Sequence, residues 1–311
     1  MDFGFVAGSR EFVPAYGVSG DGSTVVGAFA RRVGSRRREA YRARNGVIEG
    51  LGVIGPYEWS SGKFASTDGN VVSGVLEHSE FPVSQPFRWT PKGGMVALGQ
   101  ARPGDYFTSV EGMSRDGSVI AGLSNSFDDG VSYVWTAEGG MRVLREADGT
   151  RSNIAVFGVS GDGRTLLGTT MDGLDKMAIW RDGVVTVLGG YEGPQYDTTA
   201  YAMSDDGSLV VGHVGGVTNR GNEAVVWTAG TGVISLYEYL VMQGVDFPRD
   251  WWLSDCRSIS ADGKTIVAQA NYRNQYGLFT GVVLVAEIPS PGVSALGVVG
   301  GIAAARRRRR A

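Results

Sequence analysis

Gly17-Val18-Ser19-Gly20-Asp21-Gly22-Ser23-Thr24-Val25-Val26-Gly27 is the segment that most limits what this chain can become. The same grammar returns five more times: a Ser or Thr, an Asp-Gly pair, a short β-branched run and usually a closing Gly. The aspartates fall at Asp21, Asp68, Asp116, Asp162, Asp206 and Asp262. That period is about the length of a four-stranded propeller blade. Asp-Gly between two extended apolar runs predicts a two-residue type I′ hairpin, whose central residues both need φ > 0.

One repeat read closely shows the unit. Residues 63–66 read as a first strand, Asp68-Gly69 as a turn and 70–76 as a second strand. Residues 85–90 make a third, ending in Phe87-Arg88-Trp89, and 95–98 a fourth after the turn Pro91-Lys92-Gly93-Gly94. Four antiparallel strands joined by turns form a β-meander. Trp89, Trp135, Trp180 and Trp227 recur near the end of the third strand, with Ala43 in that place in the first repeat and Phe279 nearby in the sixth. One large aromatic per repeat fills the wedge between stacked sheets.

The chain ends complement each other. The sixth repeat has strands at 258–259, 264–270 and 278–285 but no fourth, while residues 3–7 resemble a fourth strand that precedes any first. The expected fold is therefore all-β: a six-bladed β-propeller of four-stranded antiparallel blades, with the N-terminal strand closing the last blade. Closure removes exposed strand edges. Loops on one face are tight, while 28–38, 100–105, 190–197 and 213–222 are long and variable, which marks the other face for binding. Residues 236–243 carry apolar side chains at helical spacing, with Gly244 as the cap, and predict a short helix on that face.

Composition narrows the function classes. The 311 residues include 49 Gly, spread without a three-residue period, which fits many tight turns and excludes collagen. The formal net charge of -3 includes five consecutive arginines near the end, which leaves -8 on the rest. An acidic body argues against nucleic acid as a partner. Cys256 is the single cysteine and is expected to be a buried structural thiol. Residues 1–6 lack the basic start and apolar core of a secretory signal, so an export signal upstream of Met1 is expected.

Candidates for chemistry are few. His78 and His213 lie in different repeats, each expected in a loop after a second strand, with no metal spacing between them. No nucleophile elbow, P-loop or dinucleotide fingerprint occurs. The recurring carboxylates serve turns, and each turn offers one rather than a calcium-binding cluster. The Asp-box of sialidase propellers places its Gly two residues after the Asp, whereas here the two are adjacent. Arg31, Arg32, Arg36, Arg37 and Arg38 form the one basic patch of the body and read as a solvated loop. The expectation is no catalytic residue, no metal and no cofactor.

The repeat, followed by third strands such as Glu223-Ala224-Val225-Val226-Trp227-Thr228, resembles the HAF-type extracellular repeats of bacterial exported proteins. After it the composition changes, dividing residues 1–287 from a tail at 288–311. Ile288-Pro289-Ser290-Pro291, then a small apolar run, then Arg306, Arg307, Arg308, Arg309 and Arg310 resemble a PEP-CTERM sorting signal. As a helix the run 292–305 would rise about 21 Å, against about 30 Å of hydrocarbon, so its membrane contact is expected to be transient, with the arginines cytoplasmic. The resemblance implies export, a sorting protease of exosortase type as partner, and cleavage near the Pro motif. The functional expectation is a non-enzymatic scaffold or adhesion module at the cell surface or in the extracellular matrix, with polysaccharide as a possible partner. The alternative is a surface glycan-acting enzyme, glycosidase or lyase, whose paired carboxylates would converge on one pocket.

Overall fold

The computed structural model describes residues 14–30, 37–78, 83–126, 129–171, 173–191, 196–218, 221–245, 251–274 and 277–287. The calls on residues 3–7, on residues 31–36 of the basic patch and on the whole tail from 288 fall outside them. The described chain is all-β apart from one helix, and its sheets are antiparallel meanders in chain order. The first repeat pairs Ala15–Val18, Thr24–Ala30, Arg38–Arg44 and Val47–Gly52 in one four-stranded sheet. The second (Trp59–Ala65, Val72–Glu77, Ser84–Thr90, Gly94–Ala97) joins the third in a nine-stranded sheet through a single parallel contact, Ser84 with Phe107. The fourth and fifth repeats are again four-stranded. The last sheet, Trp251–Ile259, Thr265–Asn274 and Gly277–Glu287, has three strands. No sheet closes on itself among the described residues.

The chain divides into two compact units. One is Met1–Leu166 with Trp180–Val185; the other is Leu167–Ile179 with Thr186–Ala311. In the first, Val26, Ala40, Leu51, Val72, Leu76, Phe87 and Trp89 pack the first repeat onto the second. In the second, Leu209, Val226, Leu253 and Ile266 pack the fifth onto the sixth, beneath the helix Leu236–Met242. Ser235 caps that helix: its hydroxyl accepts from the Glu238 N–H, and the Glu238 carboxylate accepts from the Ser235 N–H. At the other end Val245 N–H reaches the Leu240 carbonyl and Gly244 N–H the Val241 carbonyl, with Gly244 at φ 77°. This is a Schellman ending, and the helix thus occupies the predicted residues.

The Asp-Gly turns differ from the expected type I′ geometry. Only the glycines are left-handed, with φ between 67° and 75°, while every one of the six aspartates keeps a negative φ. Each Gly N–H returns to the carbonyl of the Ser three residues back at 2.9 Å, and Ser19 N–H bonds the Thr24 carbonyl at 2.8 Å around a four-residue loop. The wider loop lets side chains bond the backbone. Ser19 Oγ donates to Asp21 Oδ1 at 2.6 Å, Ser23 N–H donates to the same oxygen at 2.8 Å, and Thr24 N–H donates back to Ser19 Oγ at 2.9 Å. The same three bonds recur around Asp68, Asp116, Asp162, Asp206 and Asp262. Two-residue I′ turns do occur, at Asn45-Gly46 and Asp182-Gly183, between third and fourth strands.

The turns are also bonded to one another. In the first unit Asp21 N–H donates to the Thr67 carbonyl (3.0 Å), Thr67 N–H to that of Arg115 (2.7 Å) and Arg115 N–H to that of Gly161 (3.0 Å). In the second unit Asp205 N–H donates to the Ala261 carbonyl at 2.9 Å. A Cβ on Gly117 would come within 2.6 Å of Val71, and one on Gly163 within 2.7 Å of Val119, so the turn glycines also pack on the preceding repeat. The closing glycines answer a different need. First strands bulge at Ala15/Gly17, Gly62/Phe64 and Ala200/Ala202. The carbonyls of Pro14, Ser61 and Thr199, one residue ahead of each bulge, lie where a Cβ on Gly27, Gly74 or Gly212 would go. Across the sheet Tyr41 and Phe87 cover Gly27 and Gly74.

Two outcomes follow from these contacts. All six aspartates are held below the ordinary carboxylate range, Asp21 at about 2, chiefly by the Ser hydroxyl (for Asp116, chiefly by the Ser118 N–H). Their contribution is complete above the unfolded carboxyl pKa, near 4, and is lost as pH falls through the lowered values. Asp68→Asn is expected to cost about 1 kcal/mol at pH 7, with the difference from the parent shrinking between pH 4 and pH 2. Urea midpoints across that range check this, and a pH-independent difference contradicts it. Gly74→Ala is expected to lose about 3 kcal/mol or more, because backbone occupies the space. Gly215→Ala, with no atom within 4 Å of its Cβ, is expected to stay within about 0.5 kcal/mol of the parent. Equal midpoints for the two variants would refute the packing account.

Candidate functional site

The first unit contains a cleft of about 430 Å³ built on first strands. Tyr16 comes from the first repeat, Lys63 from the second, and Phe107 and Glu111 from the third; Glu77 ends the second repeat's second strand. A Cβ on Gly17 would overlap the Lys63 carbonyl oxygen, so its absence lets the first two repeats meet backbone to backbone. That approach sets the Lys63 ammonium 4.0 Å from the centre of the Tyr16 ring.

Phe107 is held by a polar chain. Ser84, which is buried, donates its hydroxyl to the Thr108 carbonyl and accepts the Thr108 N–H, both at 3.1 Å. Thr108 Oγ1 lies 3.0 Å from Ser124 Oγ, which donates to Asp105 Oδ2 at 2.7 Å. Arg102 reaches Asp105 through Nε and Nη2, and Asp129 through Nη1 at 2.7 Å; Arg151 also donates to Asp129, at 2.6 Å. Asp105 is buried, and its bond is the main cause that raises the Arg102 pKa above the ordinary guanidinium value. On the opposite side Tyr133 donates its hydroxyl to the Ser109 carbonyl at 2.8 Å. Burial pushes that phenol far above its ordinary value, with the Glu111 charge adding to the effect.

The cleft therefore offers two carboxylates, one ammonium and two aromatic rings, Tyr16 and Phe107, each 42% exposed. Among the described residues neither Glu77 nor Glu111 has a hydrogen-bond or ion-pair partner for its carboxylate. This arrangement can bind a polar ligand with a flat face. Among the described residues no group of three or more His, Cys, Asp or Glu could hold a metal ion.

Sequence reasoning missed this cleft, although a signal was present. Five residues before each turn aspartate stand Tyr16, Lys63, Glu111, Phe157, Tyr201 and Arg257. Five residue types fill this column in six repeats, with Tyr at both Tyr16 and Tyr201, against a nearly constant turn. In the second unit the same column stacks Arg257 on Tyr201, with 4.1 Å from the guanidinium to the ring centre.

The singled-out residues of the second unit gather nearby. His213 is not in a loop: it lies inside the strand Leu209–Thr218, whose hairpin with Gly221–Thr228 takes up the expected long connection. Its ring stacks on Tyr201 at 5.3 Å, and Nδ1 is 3.9 Å from Asp255 Oδ1. Arg257 holds the other Asp255 oxygen at 2.6 Å. Burial is the main cause that lowers the His213 pKa, so the ring is neutral near pH 7. Cys256 is buried and its thiol is pushed up to about 12, mainly by burial, which makes it an inert structural thiol as expected. Trp89 is buried under Arg42 at 4.5 Å, and Trp180 donates Nε1–H to the Arg145 carbonyl at 3.0 Å, so these two members of the tryptophan column are packing residues. The sorting residues Ile288, Pro289, Ser290, Pro291 and Arg306 through Arg310 lie outside the described residues. Arg37, a member of the basic patch, forms an exposed ion pair with Glu58 at 3.2 Å.

No protein-family profile matches the chain, and no curated protein matches it in sequence. Among solved structures it is similar to the β-propeller domain of the Trilobed protease from Pyrococcus furiosus, at 11% identity over 89% of this chain and 81% of that one, with a TM-score of 0.55. Prolyl oligopeptidase B from Galerina marginata aligns at 10% identity and a TM-score of 0.57 over 90% of this chain and 43% of its own. TolB from Acinetobacter baumannii aligns at 13% identity and a TM-score of 0.47 over 72% of this chain and 54% of its own. The chain spans about half the length of that TolB and less than half of the oligopeptidase. Likeness at such identities concerns the fold alone, and the fold is a β-propeller.

Proposed function

We propose that this chain is an exported six-bladed propeller that acts without catalysis, as a scaffold or adhesion module at the cell surface or in the extracellular matrix. The observation that carries the non-enzymatic reading is the fate of the recurring carboxylates. Each of the six is bonded to a Ser hydroxyl and a backbone N–H of its own turn, with its pKa lowered, which suits structure and not proton transfer. The three-stranded last sheet supports a ring completed by residues 3–7. The tail at 288–311 is an address rather than part of the fold, read by a sorting protease of exosortase type after a transient membrane contact. Its resemblance to a PEP-CTERM signal, together with the HAF-type repeats, supports this reading. Extracellular polysaccharide is the partner class that fits such a location.

One observation favours the glycan-acting enzyme as a second reading: Glu77 and Glu111 line one cleft.

Two measurements test these readings. In the native cell the mature protein is expected at the surface or in the matrix, with its C-terminus near Ile288-Pro289-Ser290-Pro291. Mass spectrometry of both termini with fractionation reads this out, and a cytoplasmic product that retains Arg306 to Arg310 refutes it. The purified protein is expected to release no reducing ends from matrix polysaccharide. Release abolished by both Glu77→Gln and Glu111→Gln would instead establish the enzyme.

A further inference from the structure

We propose that the cleft of the first unit binds amino sugars, with the ligand's ammonium on Glu77 and Glu111 and its pyranose ring on Phe107. This deepens the surface-module reading by naming the glycan chemistry, and it rests on that reading only for the source of the ligand. Three features of the cleft combine to select this chemistry.

The first is charge. Glu77, at the end of a strand, and Glu111, between Phe107–Thr108 and Gly112–Met113, line one cavity with no carboxylate partner among the described residues, and both are half-buried. Partial desolvation of two like charges is unfavourable, and a ligand ammonium placed between them relieves it. The chain apart from its arginine run is acidic as well, which favours the approach of a cation.

The second is Lys63. Its ammonium already lies on the Tyr16 face, at the edge of the same cavity. A purely cationic chain such as a polyamine would be repelled there. A sugar instead presents hydroxyl and ring oxygens, which accept hydrogen bonds from Lys63 within a few ångströms of its own amine.

The third is the aromatic wall. Phe107 is 42% exposed although its backbone is fixed on both sides, by pairing with Ser84 on one strand and Asn125 on another. A fixed, exposed ring costs little entropy on binding and offers the apolar face that a pyranose needs. The volume of about 430 Å³ lies in the usual range for small-ligand sites.

The test is calorimetry on the purified full chain at pH 6.5, with four probes: the β-1,4-linked glucosamine disaccharide, its N-acetylated form, spermidine and glycylglycine. The glucosamine disaccharide is expected to bind at least tenfold more tightly than each of the other three. Glu77→Gln and Glu111→Gln, both isosteric, are each expected to weaken it about tenfold, and Phe107→Ala by a similar factor, with thermal unfolding unchanged. Absence of disaccharide binding, equal binding of the acetylated form, or tighter binding of spermidine or glycylglycine overturns the proposal. So does retention of affinity in both glutamine variants. The assay contains no cells, so a negative result refutes the ligand while leaving the surface location intact. Conversely, tight binding by a protein found to be cytoplasmic would refute the location and leave the ligand standing.

Discussion

A triangle of hydrogen bonds carries this fold: Ser hydroxyl to Asp carboxylate, a backbone N–H to the same oxygen, and a second N–H back to the hydroxyl. The Ser oxygen is buried in most of its copies, so it must both donate and accept to avoid the cost of an unpaired polar atom. The aspartate satisfies the donor side and the following strand the acceptor side. Because the loop is thereby rigid, its outward backbone N–H points in a fixed direction. It can then donate to the carbonyl of the next repeat's turn without further ordering, as Thr67 does to Arg115 in the first unit and Asp205 to Ala261 in the second. Neighbouring repeats are therefore held first by backbone, and only then by side chains such as Arg42 on Trp89.

The glycines make that stacking possible at two separate places. In the turn they supply a left-handed residue and leave room for the β-branched side chain of the preceding repeat, as Gly117 does for Val71. In the second strand they admit the bulged first strand from one side and an aromatic ring from the other, as Gly74 does for Ser61 and Phe87. A composition with so many glycines thus reflects close backbone approach as much as tight turning.

Much of this was legible in the sequence. The Asp-Gly period marked the successive antiparallel meanders in chain order, and apolar spacing with Gly244 marked the helix and its end. What failed did so for identifiable reasons. The turn type was misjudged because Asp-Gly alone does not distinguish a two-residue loop from a four-residue one; the preceding Ser, which binds the carboxylate, decides it. His213 lies in a strand and not in a loop because pairing with residues 221–228 continues past Gly215 and Gly216. The cleft was missed for a deeper reason. Its residues belong to three repeats, and each of them is unremarkable within its own.

That last failure shows where specificity resides in a repeat architecture. Positions that recur do so because each repeat must solve the same packing problem, so they inform about assembly and say little about ligands. The position five residues before the turn aspartate is freer of that problem, since none of its six members is fully buried. It varies from Tyr16 to Lys63 to Glu111 without disturbing the turn that follows. Its members do interact with one another: Lys63 lies on Tyr16 in one unit and Arg257 on Tyr201 in the other. A cation stacked on the preceding repeat's aromatic is thus a recurrent solution within a variable column. In the first unit, however, Glu111 follows in the next repeat and Glu77 lines the same cleft, neither bonded to Lys63. The constant turn fixes where this column stands, and the freedom of its side chains determines what it can bind.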